Sequence, residues 1–129
     1  MTTPVTPSAG TILVGDDEAP VLRVLQRILK RSGYSVLSAT DGQEAVDAFK
    51  AHDGTIDLVI LDVTMPRLSG VEAATQIRAL AAHVKIMISS GYDAGTATAD
   101  AAEGVVNGFL QKPFTPDQLR TAIKDVLAQ

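Results

Sequence analysis

Five polar residues in this chain are of the types that handle phosphate, and each stands at the end of a short apolar run. They are Asp16, Asp17, Asp62, Ser90 and Lys112. Three carboxylates gathered at one place would repel one another and resist full ionisation, and a divalent cation relieves that repulsion. A ligand set made only of oxygens favours Mg²⁺, with Mn²⁺ as the alternative, and Mg²⁺ shares its coordination shell with phosphate oxygens.

The same residues suit the transfer of a phosphoryl group to the carboxylate of Asp62. Lys112 can pair with a phosphoryl oxygen or with Asp62, and the Ser90 hydroxyl can bond another oxygen. Such a transfer needs positioning and charge neutralisation more than covalent chemistry from the protein. Singly, each residue has an ordinary explanation: a helix cap for Asp16 and Asp17, a strand-end acid for Asp62, a solvated side chain for Lys112. Their joint occurrence favours a phosphoryl site.

Apolar runs and amphipathic segments alternate five times along the chain. The runs that predict strands are Thr11–Val14, Tyr34–Ala39, Leu58–Leu61 with its end at Asp62, Val84–Ile88 and Val105–Gln111. Alternation of this kind predicts one parallel sheet that is covered by helices on both faces. Ligands bind such sheets outside the carboxyl ends of the strands, so the fold should gather all five polar residues at one edge.

Helix signals follow each strand. Pro20 fits the first turn of the first helix, and capping patterns begin at Asp41, Ser69 and Thr115. The segment Ala94–Glu103 predicts a weak helix, because its apolar residues are nearly all Ala and it contains Gly and Thr.

Composition limits the class of protein. The chain has 129 residues, no Cys and a net charge of −4, which excludes a disulfide framework and disfavours a broad nucleic-acid surface. It has neither an apolar run of the ~18–20 residues that a membrane helix needs nor a signal core. We therefore expect a cytoplasmic protein with no nucleic-acid or membrane partner. Residues 1–10 predict a flexible tail, and residues 11–129 a single domain.

Over Thr11–Gln129 the sequence resembles the receiver domain of response regulators in two-component signalling. The matching pieces are Asp16-Asp17-Glu18, the Leu61-Asp62 strand end with Met65-Pro66 and Gly70, Ser90-Gly91, and Phe109-Leu110-Gln111-Lys112-Pro113-Phe114. The resemblance implies a flavodoxin-like α/β fold, a doubly wound five-stranded parallel sheet of order 2-1-3-4-5 with five helices. The sequence around Ser90 and Lys112 also resembles that of receivers at the C-terminal ends of hybrid histidine kinases.

The resemblance implies a role for each site residue. Asp62 would be the phosphoacceptor, loaded by a histidine kinase or a histidine phosphotransfer protein. Asp17, Asp62 and the backbone carbonyl of Thr64 would bind Mg²⁺ directly, and Asp16 would act through water. Lys112 and Ser90 would hold the phosphoryl oxygens.

Further residues are assigned to switching. Ser90 and Phe109 fall at the family's switch positions, and the Lys112-Pro113 bond is expected to be cis. Thr64 and Tyr92 each lie two residues beyond a key site residue, so we expect them to tune the lifetime of the phosphorylated state. Because no effector segment follows Gln129, output is expected through a downstream protein effector or a phosphorelay.

The sequence departs from the receiver pattern at two points, and two alternative functions remain open. Gly15 stands where receivers usually have a larger residue, which predicts a looser end to the first strand. Ser89 adjoins Ser90, so either serine could supply the hydroxyl that holds phosphate; we prefer Ser90 because Gly91, which follows it, leaves room for phosphate.

An aspartyl phosphatase is one alternative, but it would need a second acid where Thr64 stands. A receiver-like module that signals by binding alone is the other, yet no acid or lysine is missing. We expect a phosphoacceptor, with only self-catalysed phosphotransfer and slow autodephosphorylation.

Overall fold

Five parallel strands form one sheet in the order β2-β1-β3-β4-β5, in a computed structural model that describes residues 10–52, 54–91 and 104–129. The strands are β1 (Thr11–Gly15), β2 (Ser35–Ala39), β3 (Leu58–Asp62), β4 (Lys85–Ser90) and β5 (Gly108–Gln111). The described helices are α1 (Ala19–Arg31), α2 (Gly42–Ala51), α3 (Gly70–Leu80) and α4 (Pro116–Leu127). The predicted strand order is confirmed. The expected helix over Ala94–Glu103 and residues 1–9 of the expected tail lie outside the described residues.

Helices cover both faces of the sheet, as the alternating pattern predicted. One apolar cluster joins the sheet to α2 and α3 and includes Val59 and Leu61. The other joins it to α1 and α4 and includes Leu58 and Ile60. Because side chains alternate along a strand, β3 supplies both clusters and all five of its residues are buried. No described helix has the length and apolar character needed to cross a membrane.

Local sequence signals set the helix starts. Two of the three predicted capping boxes, at Ser69 and Thr115, are present, and Pro20 lies in the first turn of α1. Asp41 accepts the backbone N–H of Glu44, but the Glu44 carboxylate returns to the N–H and hydroxyl of Thr40. Asp41 therefore caps the start of α2, while the Glu44 side chain bonds Thr40 and does not complete a reciprocal capping box.

The first strand is paired to its last residue, which corrects the looser end expected from Gly15. In the ladder Gly15 lies opposite Ala39 on one side and Leu61 on the other. A Cβ at Gly15 would come within 2.9 Å of the Leu61 side chain. Glycine at this point therefore allows close packing of Leu61 and Met65 against the end of β1.

Arg78 near the end of α3 ties together loops at the amino edge of the sheet. Its guanidinium donates to Asn107 Oδ1 at 2.7 Å and to the carbonyls of Ala81, Ala82, Val84 and Val105. Asn107 Oδ1 also accepts the N–H of Ile86 in β4. The chain beside the start of β4 is thus held by side chains, and β5 begins at Gly108, three residues later than predicted.

Candidate functional site

The carboxyl ends of β1, β3 and β5 bring the three predicted aspartates and the lysine together. The Lys112 Nζ lies 2.7 Å from Asp16 Oδ2 and 3.2 Å from Asp62 Oδ1. One carboxylate oxygen from each of Asp16, Asp17 and Asp62 lies within 4.8 Å of the others. Residues far apart in the sequence therefore form one charged cluster, because parallel strands end at the same edge of the sheet.

The three aspartates have different surroundings. Asp16 is fully buried, and its second carboxylate oxygen accepts the backbone N–H of Glu18 at 2.9 Å. Both Asp16 oxygens therefore have protein partners, one in the backbone and one in Lys112. Asp17 is exposed, and Asp62 is 7% exposed. The sequence did not predict that the shorter contact of the lysine would be with Asp16.

Burial and like charges raise the pKa of the Asp62 carboxyl. Burial is the largest cause; the positive charge of Lys112 opposes it, and the charges of Asp16 and Asp17 add to the rise. Burial also acts to lower the pKa of Lys112, but its hydrogen bonds and charge interactions with Asp16 and Asp62 raise that pKa overall. The lysine is thus held as a cation, while ionised Asp62 lacks full compensation.

The donor set fits a hard divalent cation. Carboxylate oxygens are the ligands that Mg²⁺ and Mn²⁺ prefer, and the exposed side of the cluster at Asp17 leaves room for bound water. Thr64, two residues beyond Asp62, is also exposed. A cation here would relieve the repulsion that raises the pKa of Asp62.

Ser89 and Ser90 both lie buried at the end of β4. Ser89 is opposite Asp62 in the ladder, and Ser90 is opposite Gln111. The Ser90 carbonyl accepts the Lys112 backbone N–H at 2.7 Å, which links this serine directly to the lysine. The adjoining Phe109 is half-buried beside the cluster under α2 and α3.

Other predicted residues are placed as follows. The Lys112-Pro113 peptide bond is cis, as predicted. Tyr92 lies outside the described residues.

The loop after Asp62 is anchored to the start of α2. Arg67 has a φ of 68° and its guanidinium lies 3.2 Å from Asp41 Oδ1. The Leu68 N–H bonds back to the Pro66 carbonyl at 2.8 Å, which closes a three-residue turn. Met65-Pro66 predicted a turn at this point. Nothing in the sequence predicted that the exposed Arg67 side chain would contact Asp41, the residue that caps α2.

The chain belongs to the response regulator receiver domain family, whose sequence profile matches residues 12–124. It is 32% identical to the chemotaxis protein CheY of Bacillus subtilis over 120 residues, which are 92% of this chain and 98% of CheY. It also spans about half the length, 44–48%, of several transcriptional regulators that it matches.

Solved structures agree with this assignment. The response regulator TrrA from Thermotoga maritima, solved in complex with Mg²⁺-BeF, has a TM-score of 0.80 and 33% identity, covering 91% of this chain and 98% of TrrA. The receiver domain of the hybrid histidine kinase CckA has a TM-score of 0.77 and 36% identity, covering 92% of this chain and 99% of that domain.

Proposed function

We propose that Asp62 accepts a phosphoryl group from the phosphohistidine of a histidine kinase or a histidine phosphotransfer protein. The observation that carries this proposal is Lys112, which bridges Asp16 and Asp62 beside the exposed Asp17. An oxygen of the Asp62 carboxylate bonds to phosphorus while the bond from phosphorus to the donor imidazole breaks. The imidazole nitrogen keeps that electron pair and takes a proton.

Positive charge and hydrogen bonding around Asp62 support this step. Mg²⁺, when bound by Asp17, Asp62 and the Thr64 carbonyl, supplies charge that offsets the phosphoryl oxygens. Asp16, with both oxygens engaged by the protein, acts on the cation through water. Lys112 pairs with a second phosphoryl oxygen, and it is already positioned 3.2 Å from Asp62. The Mg²⁺-BeF complex of TrrA supports the same cation for this chain.

The Ser90 hydroxyl holds a further phosphoryl oxygen in this proposal and starts the switch. As Ser90 turns toward the phosphoryl group, Phe109 repacks into the space that it leaves. Their strands adjoin, since Phe109 lies opposite Ile88 and Gln111 lies opposite Ser90. We further propose that Thr64 and Tyr92 set the lifetime of the acyl phosphate. Output passes to a downstream protein effector through the repacked face.

We expect Ser90→Ala to slow labelling by acetyl phosphate on the order of tenfold, because one donor to the phosphoryl oxygens is lost. Ser89→Ala is the matched control, since it removes a hydroxyl of equal burial one residue earlier in β4. The labelling rate is followed by mass spectrometry of the intact protein. A larger loss from Ser89→Ala than from Ser90→Ala would move the role to Ser89.

An open apolar groove beside Lys112 suits the docking of the phosphodonor protein. It has a volume of about 520 Å³ and is lined by Pro20, Val21, Val24, Gly91, Lys112, Pro113 and Phe114. Val24 is a large apolar residue that is 47% exposed. Helix α1 also carries Arg23, Arg27, Lys30 and Arg31 and no acidic residue. We propose that a donor with acidic residues around an apolar contact binds this side of α1.

Val24→Asp is expected to slow phosphotransfer from a histidine phosphodonor protein about tenfold, because it places a charge in the centre of the apolar contact. Labelling by acetyl phosphate, which needs no docking surface, should keep its rate. Leu80→Asp is the control, since Leu80 at the end of α3 is similarly exposed, at 49%. Equal transfer to both variants would show that the donor binds elsewhere.

Two other functions are weaker. A phosphatase with an aspartyl nucleophile would lack its general acid, because Thr64 stands two residues after Asp62. A module that signals without phosphorylation would not need the intact set of acids, lysine and hydroxyl. Incubation with acetyl phosphate and Mg²⁺ tests the main proposal: one phosphoryl group per chain on Asp62 supports it. Steady turnover of a phosphomonoester, or no labelling with Mg²⁺ bound, would support one of these alternatives instead.

The proposal extends to the whole of residues 11–129 as one receiver domain that acts in the cytoplasm. The net charge of −4 supports a protein partner over nucleic acid. The match to the CckA receiver supports a phosphorelay context.

A further inference from the structure

We propose that Gln111 is a positioning residue for phosphoryl transfer, and that its side-chain amide holds the chain after Ser90 against the backbone of Lys112. This inference rests on the proposed function, since Ser90 and Lys112 are the groups that would hold the phosphoryl oxygens. It concerns an exposed glutamine at the last position of β5. Position alone would assign that residue to the solvated surface.

The Gln111 amide adds a hydrogen bond where the β4–β5 ladder ends. The last backbone bond there runs from the Lys112 N–H to the Ser90 carbonyl, at 2.7 Å. One residue further on, Gln111 Nε2 lies 3.1 Å from the Gly91 carbonyl and 3.3 Å from the Lys112 carbonyl. The successive carbonyls of Ser90 and Gly91, at the end of β4, are therefore bonded by Lys112 and Gln111, at the end of β5.

Gly91 explains why such a bond matters. Among the described residues, no heavy atom lies within 4 Å of the point where a Cβ of Gly91 would stand, apart from the residue and its chain neighbours. No described side chain packs on this point, and glycine has the freest backbone torsions of any residue. The hydrogen bond from Gln111 supplies the restraint that a side chain at Gly91 would otherwise supply.

The restraint acts on both phosphoryl-holding groups. On one side, the amide bonds the carbonyl of Gly91, the residue that follows Ser90, and on the other, it bonds the carbonyl of Lys112. Loss of the amide leaves Ser90 paired at the end of β4, but it frees the Gly91 and Lys112 carbonyls, so that the chain just after each strand can rotate. Phosphoryl transfer is sensitive to such small displacements, because its rate depends on alignment of the oxygens that share the developing charge.

Gln129 provides a matched control, because its amide bonds the chain at the other end of the same strand. Its Nε2 donates to the Asn107 carbonyl at 2.9 Å, immediately before β5 begins. Both glutamines are exposed, and both bond a backbone carbonyl about twenty residues away in sequence. They differ in that Gln111 lies at the reactive edge of the sheet and Gln129 at the opposite edge.

The experiment compares Gln111→Met and Gln129→Met, which keep side-chain length and lose the N–H donors. The rate constant of labelling is measured at saturating acetyl phosphate with Mg²⁺, together with the half-saturating donor concentration and the free energy of unfolding. We expect Gln111→Met to lower the rate constant about fivefold, the effect of one net hydrogen bond on a barrier. The half-saturating donor concentration and the free energy of unfolding should change no more than they do in Gln129→Met. The rate constant of Gln129→Met should match that of the unmodified chain.

Each result has a consequence. Equal rate constants for the two variants, with the unmodified chain labelled normally, would overturn the role of Gln111 and leave the proposed function intact. A fall in rate that merely follows a larger loss of stability would also overturn it, because the effect would then be structural. If the unmodified chain takes no phosphoryl group on Asp62, the proposed function fails and this inference fails with it.

Discussion

Asp62→Asn is expected to abolish labelling of the chain by acetyl phosphate and Mg²⁺, a loss on the order of a hundredfold or more, because the amide removes the oxygen nucleophile. Asp62 combines burial with a lysine at 3.2 Å and two neighbouring acids. The measurement is the hydroxylamine-sensitive mass increase of the intact protein over time. Asp47→Asn is the control, because Asp47 is an exposed acid on α2. Among the described contacts it accepts a hydrogen bond only from Gln43 of the same helix.

The same variant should be more stable than the unmodified chain in Mg²⁺-free buffer near pH 7. The pKa of Asp62 is raised in the folded protein, so folding favours the neutral carboxyl and its contribution to stability is lost as pH rises through that pKa. Asn remains neutral at every pH. Greater resistance to urea at pH 7, with a smaller difference at acidic pH, would show that lost labelling does not come from unfolding. Full labelling of Asp62→Asn would move the phosphoacceptor to another residue.

Gly70→Ala should destabilise the protein by about 3 kcal/mol, at the upper end of the usual cost of overpacking. A Cβ on this residue would overlap the backbone carbonyl of Asp62 and press on Val63, and neither is the far end of a flexible side chain. Gly70 also donates its N–H to the Val63 carbonyl at 3.0 Å. Relief of the overlap would therefore move the start of α3 away from the end of β3, and Asp62 with it.

The control is Gly91→Ala, because a Cβ at Gly91 meets no atom of the described part of the chain within 4 Å and its φ is not positive. Urea unfolding of both variants measures the difference, and acetyl phosphate labelling of Gly70→Ala against the unmodified chain shows whether the end of β3 has moved. Equal stability of the two would mean that the junction of β3 and α3 yields more readily than its packing indicates.

Much of the fold follows from short-range patterns in the sequence. The continuous apolar run of β3 predicts a strand buried on both faces, and the capping patterns at Ser69 and Thr115 predict where two helices begin. Alternation predicts a parallel sheet, whereas the strand order came from the family resemblance. The start of β5 was predicted too early, because the bonds that hold Val105 and Asn107 come from Arg78, and a helix arginine gives no sequence signal of its distant partners.

The site was predictable as a set of residues and less so as a set of contacts. Strand ends place Asp16, Asp62 and Lys112 at one edge, but the division of Lys112 between the two acids depends on distances that only packing fixes. The side-chain bond from Gln111 to the Gly91 carbonyl likewise joins residues twenty positions apart. Sequence spacing cannot reveal such a contact, because it depends on where the ladder between β4 and β5 stops.

Because of Arg78, the loops at the two edges of the sheet are held in different ways. One guanidinium bonds acceptors in two separate stretches of chain at the edge remote from Asp62, the carbonyl of Val84 in one and the Val105 carbonyl and Asn107 Oδ1 in the other. That edge is held by side chains remote from Asp62, so heat tolerance can be altered there with little effect on signalling chemistry. Evolution can then adjust the opposite edge, including how long a signal persists, without putting the integrity of the molecule at risk.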